Sequence, residues 1–260
     1  MKLKSKKLWW ISFLVLIVLG IIAFFVLSLP TFGGKISEER LKRVQENQQY
    51  KDGIFTNVEP QSPFNFSEIG SFITEMLFYD EIRIPPSKIP VISVLDSSLK
   101  ILNSSTLRAF WIGHASVYVE IDGIRILIDP VFSDYASPFD FGPKRFHPPP
   151  ITLQDLPKID AVVISHDHYD HLDMETITHL SKNETIFFVP LGIGAHLEKW
   201  GVSKKQIHEL EWWQDQMVGK IRIICTPNRH YSGRGLTDYK ATLWSSWTVI
   251  GPKHRFYYSG

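Results

Sequence analysis

Residues 107–260 predict a layered α/β domain, and residues 8–29 predict one membrane-spanning helix ahead of it. Three observations carry this reading. From residue 107 onward, short apolar and alternating runs recur with helical stretches between them, the pattern of sheets stacked with helices. "LWWISFLVLIVLGIIAFFVLSL" (8–29) holds no charge, and about 20 apolar residues in a helix cross a bilayer core. "VVISHDHYDHLD" (162–173) puts three of the chain's 10 histidines directly behind an apolar run.

The elements follow in order. Trp9 and Trp10 stand where an interfacial aromatic belt would be, and Pro30 with the following "FGG" stops the helix. A signal peptide is the rival reading, but its apolar region is usually shorter and no small-residue cleavage site is evident. Lys2, Lys4, Lys6 and Lys7 favour an N-terminus inside and a domain outside the cytoplasm, although Lys35, Arg40, Lys42 and Arg43 flank the other end. "SEERLKRVQENQQY" reads as an exposed helix or a spacer from the membrane. Asn65 and Glu68 have capping-box spacing, and Ile69, Phe72, Ile73, Met76 and Leu77 form the apolar stripe of a helix.

Asp122-Gly123 marks a tight hairpin turn inside "LRAFWIGHASVYVEIDGIRILIDP". "SPFDFGPKRFHPPP" is a proline-punctuated loop and "IDAVVIS" a buried strand. Asp173 is a helix N-cap, with Met174, Ile177 and Leu180 facing inward. A strand over 185–189 and a short helix over 195–200, stopped by Gly201, come next. Strand-like runs then cover 207–213, 221–226, 244–250 and 256–258.

Composition bounds the function. With 260 residues and 44% apolar content the chain can form one large or two small domains. A net charge of +1 gives no electrostatic footprint for nucleic acid. The lone Cys225 excludes an intrachain disulfide and reads as a buried small hydrophobe.

The chemistry concentrates in His166-x-His168-x-Asp170-His171. Imidazole and carboxylate suit borderline divalent ions such as Zn²⁺. In a tight loop behind a strand, His166 and His168 can face one ion, and Asp170 and His171 a second. This motif is the mark of the metallo-β-lactamase superfamily. Successive blocks, "WIGHASVYVEIDGIRILIDPVFSDYASP", "GPKRF", "LPKIDAVVISHDHYDHLD", "FVPLGI", "TPNRHYSGR" and "WSSWTVIGPKHRFYYSG", resemble the N-acyl-phosphatidylethanolamine-hydrolysing phospholipase D family over residues 107–260.

The resemblance implies a four-layer αββα sandwich over residues 106–260, behind a basic stub (1–7), the membrane helix (8–29) and an N-terminal extension and linker (30–105). It implies two Zn²⁺ ions, one held by His166, His168 and His230, the other by Asp170 and His171, which also hold the catalytic metal-bound water. Asp129 is either a carboxylate partner of a ligand histidine or a satisfied turn residue. For His114 a buried structural role is favoured over contact with the ligands. The family's bridging aspartate and a later histidine have no counterpart before Gly260, so an incomplete sandwich lacking its second half is expected, with little turnover from these residues alone.

The implied reaction is zinc-dependent hydrolysis of a phosphodiester in N-acyl-phosphatidylethanolamine, releasing an N-acylethanolamine and phosphatidic acid. Alternatives are another hydrolase of this fold, acting on a lactone, amide or sugar phosphate, and an inactive remnant. Membrane phospholipid is the expected partner, a homodimer is allowed and nucleic acid is not expected. Lys144, Arg145 and Arg234 read as surface charges that could meet a phosphate. Trp212, Trp213 and "FYY" read as core, and His147, His179, His196, His208 and His254 as surface residues.

Overall fold

A computed structural model describes residues 2–59, 70, 71, 74, 78, 84–93 and 105–260. The stripe residues of the expected helix, Ile69, Phe72, Ile73, Met76 and Leu77, lie outside the described residues. Helix α1, Lys2–Leu27, contains the 19-residue stretch Trp9–Leu27, which at a mean hydropathy of 3.0, with none of it buried, is long and apolar enough to cross a membrane. It ends just before Pro30–Phe32, a single 3₁₀ turn, because proline at the first position cannot continue the α-helical hydrogen bonds.

Two sheets face each other. The larger has the order β3-β4-β5-β6-β7-β8, formed by Leu107–Gly113, Ser116–Ile121, Ile124–Ile128, Ala161–Val163, Ile186–Pro190 and Ile207–Leu210. β3 to β5 are antiparallel and β5 to β8 parallel. The Asp122-Gly123 turn has φ of 48° and 88°, the left-handed pair that a two-residue hairpin needs. The smaller sheet, β12-β11-β10-β9, is antiparallel and uses Arg255–Tyr258, Ser246–Ile250, Ile221–Thr226 and Asp215–Val218.

Between the sheets lies a core of Val119, Ile126, Ile128, Val163 and Phe188 from one side and Ile221, Ile223, Cys225, Trp247 and Val249 from the other. The opposite face of the large sheet buries Tyr118, Leu127, Val162, Phe187 and Val189 against helices α3 (Met174–Leu180) and α4 (Gly194–Lys199). Helix, sheet and sheet are thus three of the four expected layers among the described residues.

Asp173 caps α3 through its bond from the Glu175 amide, as expected, and also accepts from the amides of Phe132 and Ser133 and the hydroxyls of Ser133 and Thr176. Asp173→Ala should therefore cost about 2 kcal/mol, the upper end for losing a cap; chemical denaturation of the variant checks this.

The segment read as an exposed helix or a spacer is a helix, α2, Glu38–Glu46, exposed over most of its length. The spacer alternative is corrected, because one face docks on the domain, where Arg40 donates to Glu209 at 2.6 Å and to Glu198 at 2.9 Å. Val44 is buried in a cluster with Phe55, Leu191, Leu243 and Trp244. Phe55 belongs to a small hairpin, β1 (Tyr50–Lys51) and β2 (Ile54–Phe55). The strand expected over 207–213 stops at Leu210, and the turn that follows separates the two tryptophans. Trp212 is half-buried and donates to the Trp244 carbonyl, while Trp213, at φ 74°, is 71% exposed.

Candidate metal centre

The site forms where the carboxyl ends of β5, β6 and β10 meet, the usual place for ligands on an α/β sheet. Parallel pairing of β5 with β6 puts Asp129 beside Ser165, and the loop after β6 carries His166, His168, Asp170 and His171. The chain leaving β10 delivers His230. Asn57, from the N-terminal extension, holds that histidine's backbone on both sides: it accepts from the His230 amide at 3.0 Å and donates to its carbonyl at 2.8 Å.

His166, His168 and His230 converge. Nε2 of His166 lies 2.9 Å from Nδ1 of His168 and 3.0 Å from Nε2 of His230. Around a tetrahedral zinc with bonds of about 2.0–2.1 Å, ligand nitrogens stand about 3.3 Å apart, so small rotations would seat an ion. Burial, then the neighbouring histidines, push the His166 imidazole well below its ordinary pKa, and burial does the same to His168 and His230. Neutral imidazole is the form that binds metal. The donor set fits a borderline divalent ion.

Asp170 and His171 form a second group with His114. Oδ2 of Asp170 lies 3.7 Å from Nε2 of His171 and 2.8 Å from Nε2 of His114. Burial disfavours the Asp170 carboxylate, but His171, a backbone amide and His114 outweigh it and lower its pKa. The preference for a buried His114 is corrected: its side chain is 63% exposed, because the turn between β3 and β4 lifts it to the rim at φ 48°.

Of the two readings for Asp129, the geometry favours the ligand partner. It is fully buried at φ 42°, a strained position for a residue other than glycine. Oδ1 accepts from the Ser165 amide at 2.6 Å. Oδ2 lies 2.7 Å from Nδ1 of His171 and accepts from the hydroxyls of Ser165 at 2.5 Å and Tyr258 at 2.7 Å. Orienting His171 through Nδ1 leaves its Nε2 free, the carboxylate–histidine arrangement of metal sites. Asp129 also raises the pKa of His171 despite the opposing effect of burial.

Several residues depart from their expected places. Tyr258, read as core, supplies a hydroxyl to the site. His196 is buried beside Asp167 rather than at the surface, while His147, His179, His208 and His254 are half-buried. Arg234 is buried among carbonyl oxygens. Arg145 is half-buried and braces the loop after β5 through the carbonyls of Val131 and Ser133, whereas Lys144 stays exposed beside Asp134. Cys225 is buried as expected, and burial pushes its thiol pKa up.

Asp167, Ser165 and Asn57 escaped notice in the sequence. Only Asp167 had a local signal, its place between two of the expected ligand histidines. Its buried carboxylate accepts from the Gly233 amide at 2.7 Å and the Thr242 hydroxyl at 2.8 Å.

Comparison with known proteins identifies the family. The family model described as "Beta-lactamase superfamily domain" matches residues 124–260. An uncharacterized protein of Mycobacterium tuberculosis is 44% identical over 220 residues, 83% of this chain and 58% of that protein. The N-acyl-phosphatidylethanolamine-hydrolyzing phospholipase D 1 of Caenorhabditis elegans is 42% identical over 185 residues, 64% of this chain and 52% of that one. A metal-dependent hydrolase of Caldivirga maquilingensis is 33% identical over 126 residues, 48% of this chain and 49% of its own. The chain thus spans about half the length of these curated relatives.

Proposed function

The chain belongs to the beta-lactamase superfamily, with the metallo-β-lactamase fold, and on that premise we propose that it is a zinc-dependent phospholipase D acting on N-acyl-phosphatidylethanolamine-type lipids. The observation that carries the metal part is the convergence of two donor groups, His166/His168/His230 and His114/Asp170/His171, on one rim. In this reading His166, His168 and His230 hold one ion, while Asp170 and His171 hold another. Bound zinc lowers the pKa of water towards about 7 and stabilises charge at phosphorus.

The chain's own groups do the positioning. Asp129 keeps Nε2 of His171 turned to the rim, and His114 steadies Asp170. A cleft of about 480 Å³ opens beside Asp170 and His114, walled by Trp111, Val131 and Phe146, an apolar bed for a lipid chain. The apolar helix α1, as an uncleaved anchor with the domain outside the cytoplasm, would hold the chain at its substrate. Hydrolysis adds water across the phosphorus–oxygen bond to the N-acylethanolamine, which leaves as an alcohol, with phosphatidic acid as the other product. No serine or cysteine nucleophile is needed.

The test is the full chain in lipid nanodiscs, loaded with zinc and offered N-acyl-phosphatidylethanolamine, lactones and β-lactams. Release of N-acylethanolamine, abolished by a chelator and restored by zinc, is expected from the native protein, and little turnover from residues 1–260 by themselves. Turnover of a lactone or β-lactam with the lipid untouched would replace this reading by that of another hydrolase of the fold.

A further inference from the structure

Residues 30–34, separated from the end of the apolar helix by two residues, are locked onto the scaffold of the metal cluster. Nε1 of Trp200 donates to the Pro30 carbonyl at 2.7 Å. Nε and Nη2 of Arg234 donate to the Thr31 carbonyl at 3.2 and 2.9 Å. The Gly34 amide donates to Nδ1 of His196 at 3.0 Å. A Cβ on Gly33 would lie 2.1 Å from Nδ1 of His196, and one on Gly34 the same distance from the Ala195 carbonyl oxygen, so no side chain fits at either position.

Two of the three residues that grip this segment, Arg234 and His196, also grip the loop that carries His166 and His168. Nη1 of Arg234 donates to the carbonyls of Asp167 at 2.7 Å and Leu172 at 2.8 Å. Its guanidinium is sandwiched between the rings of Tyr169 and Trp200, 4.0 and 5.2 Å from their centroids. Since Nδ1 of His196 accepts from Gly34, a neutral His196 carries its proton on Nε2, which lies 3.4 Å from Oδ2 of Asp167. Asp167 separates His166 from His168, and through the Gly233 amide it is tied to the loop that carries His230.

We propose that residues 30–34 are a positioning strap for the metal cluster, with Arg234 and His196 as the positioning residues that pass its docking on to the spacing of His166, His168 and His230. A strap that served packing alone would not need both grips to end on Asp167. The inference rests on the metal reading of that cluster. It makes ion affinity a function of how the foot of the apolar helix sits on the domain.

Co²⁺ titration of the full chain in detergent, followed by its visible absorption and Kd, tests it. Gly34→Val, Arg234→Met and His196→Leu should weaken Co²⁺ binding roughly 10–100-fold, the usual cost of losing an indirect partner of a metal site. His196→Gln should recover most of that loss, because its amide can both accept from Gly34 and donate to Asp167. Arg40→Met cuts Arg40 from Glu198 and Glu209 on α4 and β8 and leaves the strap intact. It should lower Tm while leaving Co²⁺ affinity unchanged.

Variants that stay folded by far-UV circular dichroism and bind Co²⁺ like the wild type would overturn the strap and leave the metal reading standing. If Arg234→Met does not fold, the His196→Leu and His196→Gln pair decides. A wild-type chain that takes up no Co²⁺ would remove both readings.

Discussion

Asp129→Asn should fold and yet bind divalent ions roughly 10–100-fold more weakly than the wild type, the loss expected when the partner of a ligand histidine is removed. The substitution changes almost no volume, so its effect is electronic. In the wild type one carboxylate faces the Ser165 amide, the Ser165 and Tyr258 hydroxyls and Nδ1 of His171. An asparagine oxygen turned to the Ser165 amide sets its NH₂ where the other three groups had an acceptor. Ser165 and Tyr258 can rotate their hydroxyls and accept instead. His171 has to take the other tautomer, with its proton on Nε2, the atom that should face the ion.

Stability should fall as well, by about 1.5–3 kcal/mol for hydrogen bonds to a charged group. Metal titration with thermal denaturation of the metal-free protein separates the two effects. Wild-type affinity in the folded variant would show that Asp129 is only a satisfied turn residue.

Trp247→Ala should destabilise the domain by about 3–5 kcal/mol, the range for truncating a large buried aromatic. Trp247 is fully buried between the sheets, and its indole N–H donates to the Ile164 carbonyl at 2.8 Å, just ahead of the ligand loop. Truncation would open a cavity against Val163 and Phe188 and leave that carbonyl without its partner. For a domain of this size the loss corresponds to a fall in Tm of roughly 10 °C, measurable by scanning calorimetry. A fall of only one or two degrees would mean that the two sheets close over the gap.

The sequence by itself determined what depends on neighbours along the chain. The apolar run of α1, the Asp122-Gly123 turn, the Asp173 cap and the buried strand ahead of His166 all follow from local periodicity and turn chemistry. The clustering of His166, His168, Asp170 and His171 was legible for the same reason, since a loop of six residues cannot spread its ligands far apart. His230 was legible only through family resemblance, because no local spacing marks it.

Tertiary structure decided the rest, because burial and partnership are set by which strand ends meet. Parallel β5 and β6 place Asp129 next to Ser165, residues 36 positions apart in the chain. Antiparallel β11 and β12 bring Tyr258 to the same carboxylate across 129 positions. Arg234 and His196 look like ordinary surface residues in one dimension. Folding buries them because the carbonyl of Thr31 and the amide of Gly34 arrive from far along the chain to satisfy their hydrogen bonds. A polar side chain goes inside only when such partners are there to meet it.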